Sequence, residues 1–429
     1  ELLRNNVIDE NGGAIGVNGN NTSNNPFWVV QNNPLNNRVE RMYGNVQLDY
    51  DPTDWLNIMG RIGTDFFDET RRSIIRKGTL NRLNGEFDDR TIFQRQVNSD
   101  VIATVTKDVT SKIGFRGLVG WNVNQIINER TRVRASDLSA DNLYVYPNAN
   151  ATTPENFSNI RRLYGVYTDI QYHYDNIFFV NFTARHYWSS TLPEENNTFF
   201  YPAVSTSFIF TDALGISNNI LSYGKLRASW ANVGSDENPY QLAFTYTPEP
   251  DLFTQFVADN TYPHGGQLAF AATNTIPPGN SLLPQNQSTF EIGTELQLFD
   301  GRVGIDFTYY NTLTSDQIIS VAIPQSTGFE AVRTNIGEVR NRGIEALLSV
   351  TPVQTANFNW DMIFNFTRNR QSVEQLAPGL DELALTSGFS GLSVRAEPGE
   401  DFGLYGAGWL RNDAGELIIN ESTGERQVG

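Results

Sequence analysis

His186 stands three residues before Ser189, and Ser190 follows directly, so a base lies near two hydroxyls in the chain. That pairing raises the question of hydrolysis. The chain has 3 His in all, His173, His186 and His264. A serine hydrolase of the elbow type needs Gly-x-Ser-x-Gly, and a zinc protease needs His-Glu-x-x-His. Neither occurs. Cys is absent, which removes thiolate nucleophiles and thiolate metal sites. The loops are rich in Asp and Asn, but no D-x-[DN]-x-[DN]-G spacing for Ca²⁺ is present, nor a phosphate loop. The residues predict no enzyme, no catalytic group, no bound metal and no cofactor.

Charged residues remain, and they are placed regularly. Glu291, Glu295, Asp306, Glu345 and Asp361 each sit in a stretch where polar and apolar residues alternate, as do Arg61, Arg116, Lys225 and Arg227. Alternate side chains of a strand point to opposite faces. These charges therefore share one face of their strands while apolar residues take the other. Such a face can bind a polar solute or another protein segment, or it can pair its own opposite charges. Tyr144, Tyr146, Tyr187 and Trp188, with Trp28 and Tyr262, lie in loop-like stretches. Their rings could stack on sugars, since an aromatic ring offers an apolar face with a polar tip. They could equally pack the loops together.

The elements that hold these residues are strands in hairpins. "TFEIGTELQLF" meets "RVGIDFTYY" across Asp300–Gly301, the best hairpin signal in the chain. "RLYGVYTDIQYHY" meets "IFFVNFTARHYW" across Asp175–Asn176, and "NFNWDMIFNFT" places Phe358, Trp360, Met362, Phe364 and Phe366 on one face. Tyr164, Val166, Ile170 and Tyr172 share a face with aromatics at both ends. Short connections are expected near 51–54, 108–112, 175–176, 300–301 and 351–356, with a longer one at 212–221. Long ones are expected at 72–92, 131–160, 188–199, 233–288, 318–334 and 372–398. The two kinds alternate, as in outer-membrane barrels with short periplasmic turns and long extracellular loops.

One stretch tests that reading. In "NIGEVRNRGIEALLSV" (335–350) one face carries Glu338, Arg340 and Arg342, then Ile344, Ala346, Leu348 and Val350. A strand that passes from water into a bilayer needs such a switch. Gly337 and Gly343 are expected to leave room inside the barrel, to permit a bend, or simply to relieve crowding. The net charge of −17 argues against nucleic acid. Mean hydropathy is −0.37, and the chain lacks the run of about 18 apolar residues that a membrane helix needs. Neither counts against a barrel, whose alternation dilutes hydropathy. The fold class is thus all-β, a transmembrane antiparallel barrel with about thirteen strands here, each near the ~10 residues of a span. The chain of 429 residues opens on "ELLRNNVIDENGG" without a signal peptide and stops at "GERQVG". We expect residues 1–429 to form part of one barrel domain of a longer protein.

The ordered motifs resemble those of SusC/RagA-type TonB-dependent outer-membrane transporters. "NIGEVRNRGIEALLSVTP" (335–352) is similar to the family's N-x-G-x-x-x-N-x-G-x-E segment. "LSYGKLRASWANVG" (221–234) resembles its strand ending in Arg-Ala-Ser-x-x-x-x-Gly, and "GNSLLPQNQSTFEIGTEL" (279–296) its GN-x-x-L-x-P stretch. "LYGAGWLRNDAGEL" is like a later strand and loop, and the likeness covers nearly the whole chain. The resemblance implies a 22-stranded plugged barrel, of which the plug, the earliest strands and the last strands are not found here. It implies import of an oligosaccharide or peptide delivered by a SusD-like surface lipoprotein, with a TonB complex pulling on the plug. Outer-membrane lipid would surround the barrel, and the resemblance leaves open a dimer of transporter–lipoprotein pairs. On that reading Glu291, Glu295, Asp306, Glu345, Asp361, Tyr144, Tyr146, Tyr187 and Trp188 are candidates to contact substrate or plug, weighed against charge pairing within the wall and packing of the loops or of the lipoprotein lid. The alternatives are a passive pore or structural anchor in the outer membrane, and a soluble β-sandwich or carbohydrate-binding protein.

The rim assignment predicts that Ile344→Arg impairs membrane assembly and Arg342→Ile does not. A charge on the lipid face costs roughly 2–4 kcal/mol at the midplane and little near the interface. Heat-modifiable gel migration of each variant from outer membranes measures this, and equal tolerance of both would break the assignment.

Overall fold

The computed structural model describes residues 24–80, 82–216, 218–248, 269–377, 379–387, 392–406, 408–412, 414–420 and 425–427, with Ile8, Gly13 and Ala14. Eight strands come first: β1 (Leu35–Thr53), β2 (Leu56–Ile75), β3 (Glu86–Thr110), β4 (Ile113–Leu138), β5 (Ala149–Tyr174), β6 (Phe178–Ser189), β7 (Thr198–Ile209) and β8 (Leu221–Ser235). Then follow β9 (Tyr246–Pro248), β10 (Phe270–Ala272), β11 (Thr275–Ile276), β12 (Gln285–Leu298) and β13 (Val303–Ser315). The last are β14 (Ile318–Ala322), β15 (Ala331–Asn335), β16 (Glu338–Gln354), β17 (Asn359–Gln375), β18 (Leu383–Ser387), β19 (Leu392–Ala396) and β20 (Gly403–Gly406). Twelve of them hydrogen-bond in the order β1-β2-β3-β4-β5-β6-β7-β8-β12-β13-β16-β17, and the short strands make three small separate sheets. The main sheet thus has twelve strands among the described residues, against the thirteen expected. The chain divides into two compact units.

The second unit comprises Pro52–Asn57, Ala103–Gly120 and Gly165–Gly429. Its ladders are antiparallel from β6 through β17. Register then assigns each side chain a face. Ile344, Ala346, Leu348 and Val350 of β16 stand opposite Tyr309, Phe307, Ile305 and Val303 of β13. On the other side they stand opposite Arg368, Phe366, Phe364 and Met362 of β17. Ile292 and Leu296 of β12 extend the same layer. The layer ends where Arg342 faces Asn311 and Arg370, so the charge-to-apolar switch lies where the sequence placed it. Phe366 is 55% exposed, Phe364 53% and Ile292 49%. A contiguous apolar face left open is what lipid, not water, accommodates. At its border Trp230 stands opposite Phe290, and its indole N–H donates to Ser288 Oγ at 3.1 Å. An aromatic ring with one polar edge suits that border.

Among the described residues, buried apolar side chains are few and lie in small clusters. Val373, Leu376, Leu383 and Ala396 form one in the second unit, near the end that bears the long connections.

The first unit comprises Glu1–Asp51, Ile58–Ile102 and Trp121–Tyr164. Strands β2 to β5, which it shares, are 20, 25, 26 and 26 residues long. A membrane crossing needs only about 9–11. The long loops expected at 72–92 and 131–160 are therefore short turns, 76–85 and 139–148, at the ends of extended hairpins. The reason is chemical. In this overshoot both faces are polar, so no apolar alternation marks a strand, and ion pairs join the strands instead. Arg72 chelates Asp89 at 2.6 and 2.7 Å. Arg132 pairs with Asp88 and, at 3.3 Å, with Glu155, while Asn128 donates to Asn159 at 2.8 Å. Asn148 closes the second turn by donating to the Ala140 and Leu143 carbonyls at 2.9 and 2.6 Å.

Helix Pro26–Asn32 begins at Asn25, whose side chain accepts from the Phe27 amide, with proline at its first position. It buries Trp28 completely, against Ala14 and Leu80. The indole N–H donates to Thr79 Oγ1 at 3.0 Å. Trp28 is thus a packing residue, and the sugar-stacking role considered for it is corrected. Replacing a buried Trp by Ala costs about 3–5 kcal/mol. Trp28→Ala is expected to speed amide exchange at Thr79 and Leu80 by about a hundredfold or more. Hydrogen-exchange mass spectrometry reads this, and unchanged exchange there would refute the packing role.

Candidate functional site

The face opposite the apolar layer is polar across β6 to β17. One row runs Ser207, Arg227, Gly293, Thr308, Glu345 and Thr367 on adjacent strands. A second row runs Asn181, Ser205, Ser229, Glu291, Tyr310, Gly343 and Asn369. With Gln171, His173, Phe179 and Lys225, members of these rows line a recess of about 490 Å³.

Arg227 organises this wall. Its guanidinium donates to Asp306 Oδ2 at 2.8 Å, to Asp306 Oδ1, and to Thr308 Oγ1 at 2.6 Å. Asp306 lies on β13, one strand beyond the neighbour of β8. The side chain therefore crosses β12, and Gly293 makes the crossing possible. A Cβ there would lie 2.7 Å from Arg227 Nε and 2.8 Å from the Phe307 carbonyl. Beside it, Lys225 Nζ donates to Glu295 Oε2 at 2.8 Å. Both pairs are about two-thirds buried by side chain.

Gly343 works the same way. A Cβ on it would lie 2.4 Å from the Tyr310 ring, whose hydroxyl donates to Asn369 Oδ1 at 3.1 Å. The room expected at Gly343 is filled by that ring. Gly337 has φ +87, a left-handed bend just before β16.

The predicted residues divide into several groups. Glu295 and Asp306 are engaged by Lys225 and Arg227. Glu291 is exposed and, among the described residues, accepts a 3.4 Å bond from Ser229. Glu345 is exposed in the Arg227 row, with no ion pair among the described residues. Asp361 lies apart, accepting from Thr351 Oγ1 at 2.6 Å and from Asn359 beside the 355–358 turn. Arg116 is exposed on β4. Tyr187 and Trp188 are consecutive in β6 and point to opposite faces, so they form no joint platform. Trp188 packs edge-on to His186, with centroids 4.4 Å apart. Ser189 bonds to Thr191 and Asp236, so its hydroxyl is not directed at His186. Tyr262 and His264 lie outside the described residues.

In the first unit, Arg61 meets Asp100 at 2.9 Å. Tyr144 packs edge-on to the buried Phe87 at 6.4 Å, and Tyr146 donates to Asp89 Oδ2 at 2.7 Å. These aromatics serve the overshooting hairpins. The Arg72 hydrogen bonds hold the Asp89 carboxyl below its usual range, against the opposing effect of burial.

Arg185 lies on β6, on the face of Tyr187. Its guanidinium lies 4.7 Å from both the Tyr167 and the Tyr187 ring centroids. Its Nε and the Tyr201 hydroxyl are buried without a hydrogen-bond partner among the described residues. The pattern Arg-x-Tyr (185–187), placing ring and cation on one face, was the available signal.

Residues 3–416 match the family described as TonB dependent receptor-like, β-barrel. The chain belongs to that family and is an outer-membrane β-barrel protein, one of a group of receptors rather than enzymes. It is 26% identical over 346 residues to TonB-dependent receptor P39 of Formosa agariphila, covering 76% of this chain and 30% of that protein. It is 27% identical over 215 residues to TonB-dependent receptor SusC of Bacteroides thetaiotaomicron, covering 48% of this chain and 20% of that protein. The solved RagAB peptide importer in its closed-closed state shares the fold, with TM-score 0.78 and 18% identity, over 95% of this chain and 45% of that one. This chain therefore spans under half the length of these relatives.

Gly293→Ala should push Arg227 off Asp306. Overpacking of this kind costs about 1–3 kcal/mol. Because the Phe307 carbonyl is also crowded, Arg227→Ala should restore only part of that loss. Urea unfolding of the two single variants and the double variant in detergent gives the coupling. Simple additivity would contradict the crossing.

Proposed function

We propose that this chain is the wall of one barrel domain in a TonB-dependent importer, which brings oligosaccharides or peptides across the outer membrane. A SusD-like surface lipoprotein would deliver them, and a TonB complex would supply the work. The carrying observation is the division of β6 to β17 into an apolar face and a polar one that retains unspent hydrogen-bonding groups. Glu291 and Glu345 are exposed on the polar face, beside Ser229 and Thr308. Such a wall can hold polar solutes weakly at many points, which suits passage better than tight binding. Family membership and the names of the relatives support the energised route. On this reading Glu291 and Glu345 meet substrate or plug, while Glu295 and Asp306 keep the wall in shape.

The second reading, a passive pore or anchor, differs in its energy requirement. Uptake of labelled oligosaccharide and peptide pools is to be measured in cells making the full-length protein, with and without TonB. Loss of uptake by tenfold or more without TonB supports import, and TonB-independent flux supports the pore. Glu291→Gln with Glu345→Gln is expected to lower uptake several-fold while heat-modifiable migration stays normal. Unchanged uptake would remove these two carboxylates from the path.

A further inference from the structure

The hairpin of β13 and β16 continues beyond the membrane ladder as the ribbon of β14 and β15. Below the junction Val303 stands opposite Val350 and Thr314 opposite Val339. Above it Ile318 stands opposite Asn335 and Ala322 opposite Ala331. The register is the same on both sides, so Asp316 falls opposite Gly337. These two residues have φ of +54 and +87, and each puts a left-handed bend into its strand. Beside them the Ile336 amide donates to the Gln317 carbonyl at 2.9 Å. A hairpin that bends both strands at one level turns a corner without losing register. Asn335 closes that corner. Its Nδ2 donates to the Asp316 carbonyl at 2.8 Å and to the Leu283 carbonyl at 2.7 Å, and its Oδ1 accepts from the Leu283 amide at 2.7 Å. Both amide donors are thus engaged. Leu283 lies just before β12, and Leu282 beside it is fully buried.

The ribbon reaches both of its neighbours. On one side β15 pairs in parallel with β11, the Glu330 amide donates to the Asn274 carbonyl at 2.8 Å, and Phe329 packs on Phe244 with centroids 5.7 Å apart. On the other side Ile319 packs against the cluster of Val373, Leu376, Leu383 and Ala396. The connections that follow β8, β13 and β17 are therefore joined through it, at the end with the long connections, which is the extracellular side of an outer-membrane barrel. We propose that the ribbon 318–335 is a clasped strap, with Asp316 and Gly337 as its hinge and Asn335 as its clasp on Leu283. While the clasp is closed, the three connections move as one body. When it opens, the strap swings about the hinge with its register intact, and the connections part. Coupling between distant segments needs an element with two discrete arrangements. The corner supplies one, since the ladder below it and the ribbon above it are each internally paired. A load placed on one connection is then felt by the others only while Asn335 holds.

The test is amide hydrogen exchange, read by mass spectrometry, on the purified full-length protein in detergent. Asn335→Ala should speed exchange by about tenfold or more in 275–276, 318–335 and 383–387 together, as a shared local opening requires. The ladder at 303–314 and 339–350 should stay unchanged. Gly337→Asn should remain protected, because asparagine tolerates a left-handed backbone and a Cβ there meets nothing closer than the Gln375 carbonyl at 3.6 Å. Gly337→Val, whose branched side chain resists that conformation, should release the same three segments. Heat-modifiable migration shows whether each variant has folded. A rise confined to the residues around Leu283, or no rise at all, would make Asn335 a local contact and overturn the strap. A rise that spreads into 339–350 would make it a part of barrel stability and overturn the hinge.

Discussion

In hydrocarbon, a backbone N–H or C=O without a partner costs several kcal/mol, so a strand crossing a membrane must be paired along both edges. That requirement governs everything else in this protein. Once the ladders from β6 to β17 are fixed, register leaves no freedom in where a side chain points. The apolar layer through Ile344, Phe307 and Phe366 and the polar wall through Arg227, Glu291 and Glu345 are two consequences of one hydrogen-bond pattern. There is accordingly no need for a large interior of apolar side chains, and among the described residues the buried clusters are small ones around Trp28, Phe87 and Val373.

The polar wall meets a second constraint, the width of a strand. Long side chains on one strand must lie across the next, and glycine is what lets them. Arg227 crosses at Gly293 and Tyr310 lies over Gly343. His173 likewise covers Gly114, and Tyr167 covers Gly120. Pairing an aromatic with a cross-strand glycine screens exposed backbone and helps to pin register. In Arg227 the same device ties β8 to β13 across the strand between them, so local ion pairing becomes a three-strand connection.

Much of this was legible in the sequence where the lipid boundary imposes itself. The switch at Ile344, the turns at Asp175–Asn176 and Asp300–Gly301, and the facing of Phe364 and Phe366 follow from parity alone. The hairpins of β2 to β5 beyond the membrane look like loops in the sequence, because period-two contrast vanishes when both faces are wet. Trp28 looked like a surface ring because its burial depends on Ala14 and Leu80, which the chain order does not place beside it. Among the carboxylates, parity gave the face but not the partner. Arg227 and Asp306 are 79 residues apart, and only the register of two intervening ladders brings them together. The same limit hid Arg185, whose two tyrosines come from different strands.

Register also gives the chain a kind of double bookkeeping in heredity. On β16, odd positions such as Glu345 meet what lies inside, and even positions such as Leu348 meet what lies outside. A substitution at one parity leaves the other untouched. A lineage of such proteins can therefore change cargo by drifting at every second residue without having to solve membrane insertion again. The exceptions are inner-face glycines such as Gly293 and Gly343, which must change together with the Arg227 or Tyr310 side chain that lies over them.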